Sequence, residues 1–168
     1  MASEQGTTRA SGLTRESGGS SDTVSSATRW VLTLVTAGGL AVDAYVHWHL
    51  AASFDSLVSA SSPHLSQGQL FRVEAVLALV AMVLVLATRR RFAALLALLV
   101  AAGGVGAVLL YGFVDVGALG PLPDMYDPAW STEKVISLIA EGLAALGALG
   151  LLVLPPVTLR AGEQAMDD

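Results

Sequence analysis

Four long apolar blocks constrain the fold of this 168-residue chain more than any other feature of its sequence. They cover about residues 30–50, 70–88, 92–113 and 132–155, and the third block contains no charged side chain. A helix needs about 20 apolar residues to cross the hydrocarbon core of a bilayer, which is about 30 Å thick. Charged residues make up 14% of the chain, against about 25% in ordinary soluble domains. The sequence therefore predicts an all-α membrane protein with four spans.

The two ends of the chain differ from the blocks in composition. Residues 1–27 are rich in Ser, Thr and Gly, and such a segment buries too little apolar surface to order itself. We predict a disordered cytoplasmic tail there, a four-span domain over residues 28–157, and a short cytoplasmic tail over residues 158–168. The first apolar block is longer than the 7 to 15 residues typical of a signal peptide, which favours a retained anchor.

The distribution of Lys and Arg predicts the orientation. Cytoplasmic loops carry an excess of these residues. With four spans, seven of the nine fall on one side, at residues 9, 15, 29, 89–91 and 160, while Arg72 and Lys134 fall on the other. The sequence thus predicts an antiparallel four-helix transmembrane bundle with both termini cytoplasmic and with loops 51–69 and 114–131 outside.

This orientation places the polar side chains of the spans in the outer half of the bundle. Asp43 lies 13 residues into the first span, about 20 Å from its cytoplasmic end at 1.5 Å per residue. Ionisable residues inside a membrane usually face the bundle and are candidates for function. The candidates for ligand binding or proton relay are Asp43, His47, Arg72, Glu74, Tyr111, Asp115, Lys134 and Glu141.

Helical spacing predicts which faces these side chains share. Residues four apart lie on one face, and small residues let helices approach closely in lipid. We expect three inward stripes to converge on one polar cluster. They run through Gly39, Asp43 and His47 in the first span; through Gly103, Ala107, Tyr111 and Asp115 in the third; and through Lys134, Ser137, Glu141, Ala144, Ala145 and Ala148 in the fourth.

Several alternatives remain open for these groups. Asp43 and His47 suit a ligand or relay pair, or equally a hydrogen-bonded lock between helices. Glu141 suits a functional role or a salt bridge with Lys134. Arg72 and Glu74 are two residues apart and do not face each other, so each needs a partner elsewhere.

The loop over residues 114–127 is expected to form a compact lid above the polar cluster. It is rich in Gly and Pro but also carries large apolar side chains, unlike a flexible linker. Asp127 followed by Pro128 suits the start of the fourth helix.

The cofactor that these residue types suit is a metal ion. Asp43, His47, Glu74 and Glu141 are ligand types for zinc, manganese or iron, although the Glu-x-x-His signature of bundle metal sites is absent. A membrane haem is not expected, because no His occurs in spans two to four. The sequence has no cysteine, which excludes thiolate chemistry, and no hydrolase or nucleotide-binding motif. Its net charge of −5 without a basic groove argues against nucleic acid as a partner.

The chain resembles small four-span membrane proteins of high-GC bacteria. The resemblance rests on the HL ending of the first span (His49, Leu50), on FRVEA at residues 71–75 and on GPLPDMYDPAW at residues 120–130. It implies a location in the bacterial inner membrane and no particular activity.

Three function hypotheses follow from the sequence. The first is a membrane protein that binds or senses a small polar ligand, a proton or a metal ion in an ionisable pocket, with pH-sensitive behaviour between about pH 5 and 8. The second is an accessory subunit of a membrane complex, or a homo-oligomer, whose polar groups hold helices together. The third is a membrane enzyme acting on a lipid or quinone, with Glu141 or His47 as base.

Overall fold

The computed structural model describes residues 16–59 and 62–154 of the chain. Most of this part is helical, with a short antiparallel β-hairpin between the first two helices. The elements are α1 (Glu16–Ala51), a 3-10 turn (Ala52–Phe54), β1 (Val58–Ser59), β2 (Ser62–Ser66), α2 (Gln67–Thr88), α3 (Arg91–Phe113) and α4 (Thr132–Val153).

Four helices are long and apolar enough to cross a membrane. They are Ser25–Phe54, Gln67–Thr88, Arg91–Phe113 and Thr132–Val153, with mean hydropathies of 1.2, 2.4, 2.5 and 2.1. A length of 22 residues corresponds to about 33 Å, which matches a bilayer core. The four-helix bundle expected from the sequence is confirmed, and all four helices could cross a membrane by their length and composition.

The bundle is packed with small side chains inside and large ones outside. Its buried core is dominated by alanines, including Ala78 of α2, Ala97 of α3 and Ala144 of α4, all of them 0% exposed. The exposed surface carries Leu or Val side chains along all four helices and aromatic side chains on α1 and α3. This distribution suits a lipid environment, where helices associate by close packing of small residues because burying large apolar groups gives no advantage.

Each helix packs mainly against two others. α1 packs against α2 and α4, and α3 packs against α2 and α4, while α1 and α3 make little contact. This arrangement brings the polar residues of α1 into contact with those of α4.

Two helix boundaries differ from the sequence-based expectations. α1 begins at Glu16, so residues 16–27 are helical although we expected a disordered tail; residues 1–15 and 155–168 lie outside the described part. α4 begins at Thr132 rather than at Pro128, because Ser131 is its N-cap and accepts a hydrogen bond from the Lys134 backbone N–H. The Asp127 side chain instead closes a local turn by accepting from the Ala129 N–H.

The connection between α2 and α3 is a two-residue turn with unusual backbone geometry. Arg89 ends α2 in the left-handed region, with φ of 50°, and its N–H donates to the Val85 carbonyl. Arg90 is the N-cap of α3. The turn therefore presents three consecutive arginines where the two helices meet.

Candidate functional site

Close packing of α1 against α4 positions the polar residues of both helices. A Cβ on Gly39 of α1 would overlap the Ala140 carbonyl oxygen of α4 and lie 2.9 Å from the Ala144 Cβ. Only a glycine permits this approach. Asp43, one turn further along α1, and Glu141, which lies between Ala140 and Ala144 on α4, are both fully buried, at 0% exposure.

Asp43 and His47 form a direct pair on α1. The His47 Nδ1 lies 2.7 Å from Asp43 Oδ1 and 3.1 Å from the Asp43 carbonyl oxygen. When Nδ1 carries its proton, it donates to the carboxylate. The His47 side chain is 13% exposed and its ring packs edge-on against Phe71 of α2, with ring centroids 5.1 Å apart. The imidazole thus lies between the buried acid and the surface.

Ser137 of α4 bridges two carboxyl groups. Its Oγ lies 3.2 Å from Asp43 Oδ1 and 3.0 Å from Glu141 Oε1. A hydroxyl has only one hydrogen to donate. Both contacts are hydrogen bonds at once only if one carboxyl carries a proton and donates it to the serine oxygen.

Glu141 lies against a glycine of α3. A Cβ at Gly104 would lie 2.7 Å from Cδ and Oε1 of Glu141 and 3.0 Å from its Oε2. The missing side chain of Gly104 therefore provides the space that the Glu141 carboxyl occupies. The third helix contributes to the site by leaving room rather than by supplying a polar group.

Glu74 completes the group from α2. It is half-buried, and it interacts electrostatically with both Asp43 and His47. We call Asp43, His47, Glu74, Ser137 and Glu141 the acidic cluster. Its members come from α1, α2 and α4, so it connects three of the four helices.

The acidic cluster is short of positive charge and of hydrogen-bond donors. Asp43 Oδ2, Glu74 Oε1 and Glu141 Oε2 are buried without a hydrogen-bond partner. Within the described ranges, no Lys or Arg forms an ion pair with these three carboxyl groups. Buried polar atoms are normally hydrogen-bonded, and buried charges are normally paired. The cluster therefore has places for added protons or for a cation.

The donor set fits a metal ion. Asp43, His47 and Glu141 each offer a ligand atom, and these atoms all lie within 4.8 Å of one another. Bonds of about 2.0–2.2 Å bring ligand atoms to within about 4 Å of one another, so small side-chain adjustments suffice. One His with carboxylates suits manganese, iron or zinc. Glu74 is the fourth ligand expected from the sequence, but it is not part of this close group.

Arg72, which we expected at the site, instead pairs with a loop residue. Its Nη1 and Nη2 each donate to Asp55 at 2.7 Å, in a bidentate arrangement. The hydrogen bonds from Arg72 hold the pKa of Asp55 below its ordinary value of 3.8. The pair connects the start of α2 to the segment that follows α1.

Lys134 is also engaged away from the acidic cluster. Its Nζ donates to Asp127 Oδ2 at 2.7 Å and to the carbonyl oxygens of Asp127 and Ala129. The hydrogen bond from Lys134 holds the pKa of Asp127 below its ordinary value of 3.8. The salt bridge between Lys134 and Glu141 considered from the sequence is therefore not formed.

Tyr111 and Asp115 make local contacts at the end of α3. The Tyr111 carbonyl oxygen accepts from the Asp127 N–H at 3.0 Å, and the Asp115 carboxylate accepts from the Gly117 N–H at 3.1 Å. Asp115 is exposed. The contact between Tyr111 and Asp127 ties the 114–131 loop back to α3.

The inward face of α3 differs from the expected one. Gly103 and Ala107 are exposed, whereas Ala97, Ala101 and Gly104 are buried. The expected stripe was therefore displaced by about one residue, which is about 100° around the helix. Most members of the stripes expected on α1 and α4 are buried, namely Gly39, Asp43, Ser137, Glu141, Ala144 and Ala148, whereas His47, Lys134 and Ala145 are partly exposed.

Sequence reasoning missed two contributors to the site. Ser137 was placed on the inward stripe but was not recognised as the bridge between the carboxyl groups. Its spacing of four residues from Glu141 was the available signal. Gly104 was missed because α3 contains several small residues on more than one face.

Comparisons with protein-family models, with curated proteins and with solved structures gave no match to this chain. The fold and the site therefore define the class of this protein. It is a bundle of four apolar helices that could cross a membrane, with a buried group of acids and one histidine that could bind a metal ion.

Proposed function

We propose that this chain is a multi-pass membrane protein that binds a cation, either a divalent metal ion or protons, in the acidic cluster. One observation carries the proposal: three carboxyl groups each keep a buried oxygen without a partner. An uncompensated carboxylate in a low-dielectric interior costs several kcal/mol, and an added cation removes that cost. A binding or sensing role fits this arrangement, because the same side chains that lack partners also offer ligand atoms within 4.8 Å of one another.

The proposed topology is an antiparallel bundle in a bacterial inner membrane, with both termini cytoplasmic. The seven-to-two distribution of basic residues supports this orientation. The acidic cluster then lies in the outer half, and a cation reaches it from outside past His47 and Glu74, which are its partly exposed members.

Metal analysis of the detergent-purified protein tests the metal form of the proposal. We expect one Mn²⁺ or Zn²⁺ per chain after loading and removal of excess metal, measured by elemental analysis and by titration calorimetry. Asp43→Asn and Glu141→Gln should each weaken binding by about tenfold or more, because each removes an anionic ligand. Asp115→Asn is the matched control, since this exposed acid lies outside the cluster.

The proton form of the proposal has a different readout. If no metal binds, thermal stability should still change between pH 5 and 8, and the change should be lost in Asp43→Asn combined with Glu141→Gln. Unchanged pH dependence in that double variant, together with no metal, contradicts the proposal.

A structural role is the second candidate, and Ser137 favours it. The Ser137 hydroxyl connects the acids of α1 and α4, as expected for a hydrogen bond that holds two helices together. In that case, Asp43→Asn lowers the melting temperature and no cation affects either protein. The chain would then act through a partner in a membrane complex.

A further inference from the structure

Four arginines surround one cleft, which is separate from the acidic cluster. They are Arg29 of α1, Arg89 and Arg90 of the turn, and Arg91 at the start of α3. The cleft also touches Thr33, and Leu151 near the end of α4. We call it the arginine cleft. Like charges gathered at one place repel each other unless an anion lies among them.

Protein contacts account for only some of these guanidinium groups. Arg29 donates to the Leu154 carbonyl oxygen at 3.3 Å, and Arg89 stacks over the Trp30 ring at 3.5 Å from its centroid. Both contacts hold the side chains in position while leaving them charged. Within the described part of the chain, no carboxylate forms an ion pair with Arg89, Arg90 or Arg91.

The backbone adds donors at the same place. α3 begins here, and the N–H groups of a first helical turn have no carbonyl partner further back in the helix. The Ala93 N–H donates to the carbonyl oxygen of the N-cap Arg90 at 3.1 Å, which leaves the N–H groups before it as the donors of this helix end. A helix N-terminus of this length, 23 residues, also favours an anion electrostatically. The guanidinium groups and the helix N-terminus therefore both favour a negatively charged ligand.

The size of the cleft indicates how such a ligand binds. Its enclosed space is about 10 Å³, which admits a single oxygen atom or water. A larger group must lie across the mouth, with one oxygen inserted. A phosphate with several oxygens fits this description, and arginine binds phosphate with paired donors.

We propose that the arginine cleft binds a phosphate-bearing anion, either the headgroup of an anionic phospholipid or free phosphate. Trp30, which stacks with Arg89, is a side chain that favours the membrane–water interface, and that position is where lipid headgroups lie. The proposal is independent of the acidic cluster and of any cation bound there.

Short-chain lipids added to the detergent-purified full chain test this proposal. We expect dioctanoyl phosphatidylglycerol to raise the melting temperature more than dioctanoyl phosphatidylcholine does. The double variant Arg90→Gln, Arg91→Gln should weaken the response about tenfold or more in lipid concentration, because each basic group near a headgroup contributes to binding. Arg72→Gln is the matched control, since Arg72 pairs with Asp55 far along α2 from the cleft.

Three further results decide the proposal. The charge-conserving variant Arg90→Lys, Arg91→Lys should bind less tightly than wild type, because lysine lacks the paired donors, and this tests a built site without removing charge. If inorganic phosphate gives the same stabilisation with the same arginine dependence, the ligand is free phosphate. Equal responses to both lipids together with no response to inorganic phosphate, or an equal loss in Arg72→Gln, overturn the proposal.

Discussion

At the scale of single residues, the single hydroxyl proton of Ser137 limits how the carboxyl groups of the acidic cluster can be hydrogen-bonded. One hydroxyl lies within hydrogen-bond distance of Asp43 and of Glu141, and both carboxyl groups are fully buried. His47 supplies the only other nearby donor from a side chain in the acidic cluster. Two buried acids with so few donors favour added protons or a bound cation, as we propose.

Gly104→Ala should lower the affinity of the acidic cluster for a cation without destabilising the fold. The new Cβ would lie 2.7 Å from the Glu141 carboxyl, which is the movable end of a flexible side chain and can shift aside. We expect cation affinity to fall about tenfold, whereas the melting temperature should stay the same or rise, because Ala favours a helix over Gly by about 1 kcal/mol. Titration calorimetry and thermal melting check the two effects.

Gly103→Ala is the matched control for that substitution. Nothing lies within 4 Å of a Cβ at Gly103, so the helix gains the same propensity without approaching Glu141. Equal affinities for Gly104→Ala and wild type would show that the Glu141 carboxyl is not a ligand.

At the scale of the helices, the contact between α1 and α4 determines whether the acidic cluster exists. Asp43 and Glu141 belong to different helices, and the small residues one turn away let those helices approach. The cluster is therefore a consequence of helix packing.

Gly39→Ala should destabilise the bundle. Its Cβ would overlap the Ala140 carbonyl oxygen, and backbone cannot move aside as a side chain can. We expect a loss of about 1–3 kcal/mol, as for other overpacked interiors, measured as a lower melting temperature in detergent. In Gly38→Ala nothing lies within 4 Å of the new Cβ, so no loss is expected there.

The sequence predicted the helices and two of the three inward faces, and the reasons for its failures are physical. α1 and α4 each carry polar residues that mark the buried side, such as Asp43 and Glu141. α3 has Gly and Ala on several sides, so its small residues alone do not identify the face. The ion partners of Arg72 and Lys134 come from loop residues, Asp55 and Asp127, whose positions depend on loop conformation that helical periodicity does not specify.

At the scale of the whole molecule, two ion pairs hold the long connections to the bundle. One joins Arg72 to Asp55, and the other joins Lys134 to Asp127. Both acids have a depressed pKa in the folded protein. A depressed carboxyl pKa stabilises the fold above the unfolded pKa, and this stabilisation is lost as the pH falls through the folded value.

Asp127→Asn should therefore remove part of the acid sensitivity of the protein. Its effect on the melting temperature should be present from neutral pH down to about pH 5 and should shrink below pH 4, where wild-type Asp127 also becomes protonated. The pair is partly exposed, so the difference should stay below about 1 kcal/mol. A difference between the two proteins that grows as the pH falls would contradict this sign. Melting curves from pH 3 to 7 provide the check.

The position of Asp43 along α1 has an electrical consequence. Asp43 lies eight residues before the end of α1 at Ala51, a distance of about 12 Å along the helix. A cation that enters from that end and stops at Asp43 crosses roughly two-fifths of a hydrocarbon core about 30 Å thick. A potential of 100 mV would then change its binding free energy by roughly 0.9 kcal/mol per elementary charge, or about fivefold in affinity. Occupancy of the acidic cluster would thus depend on the energised state of the membrane as well as on cation concentration.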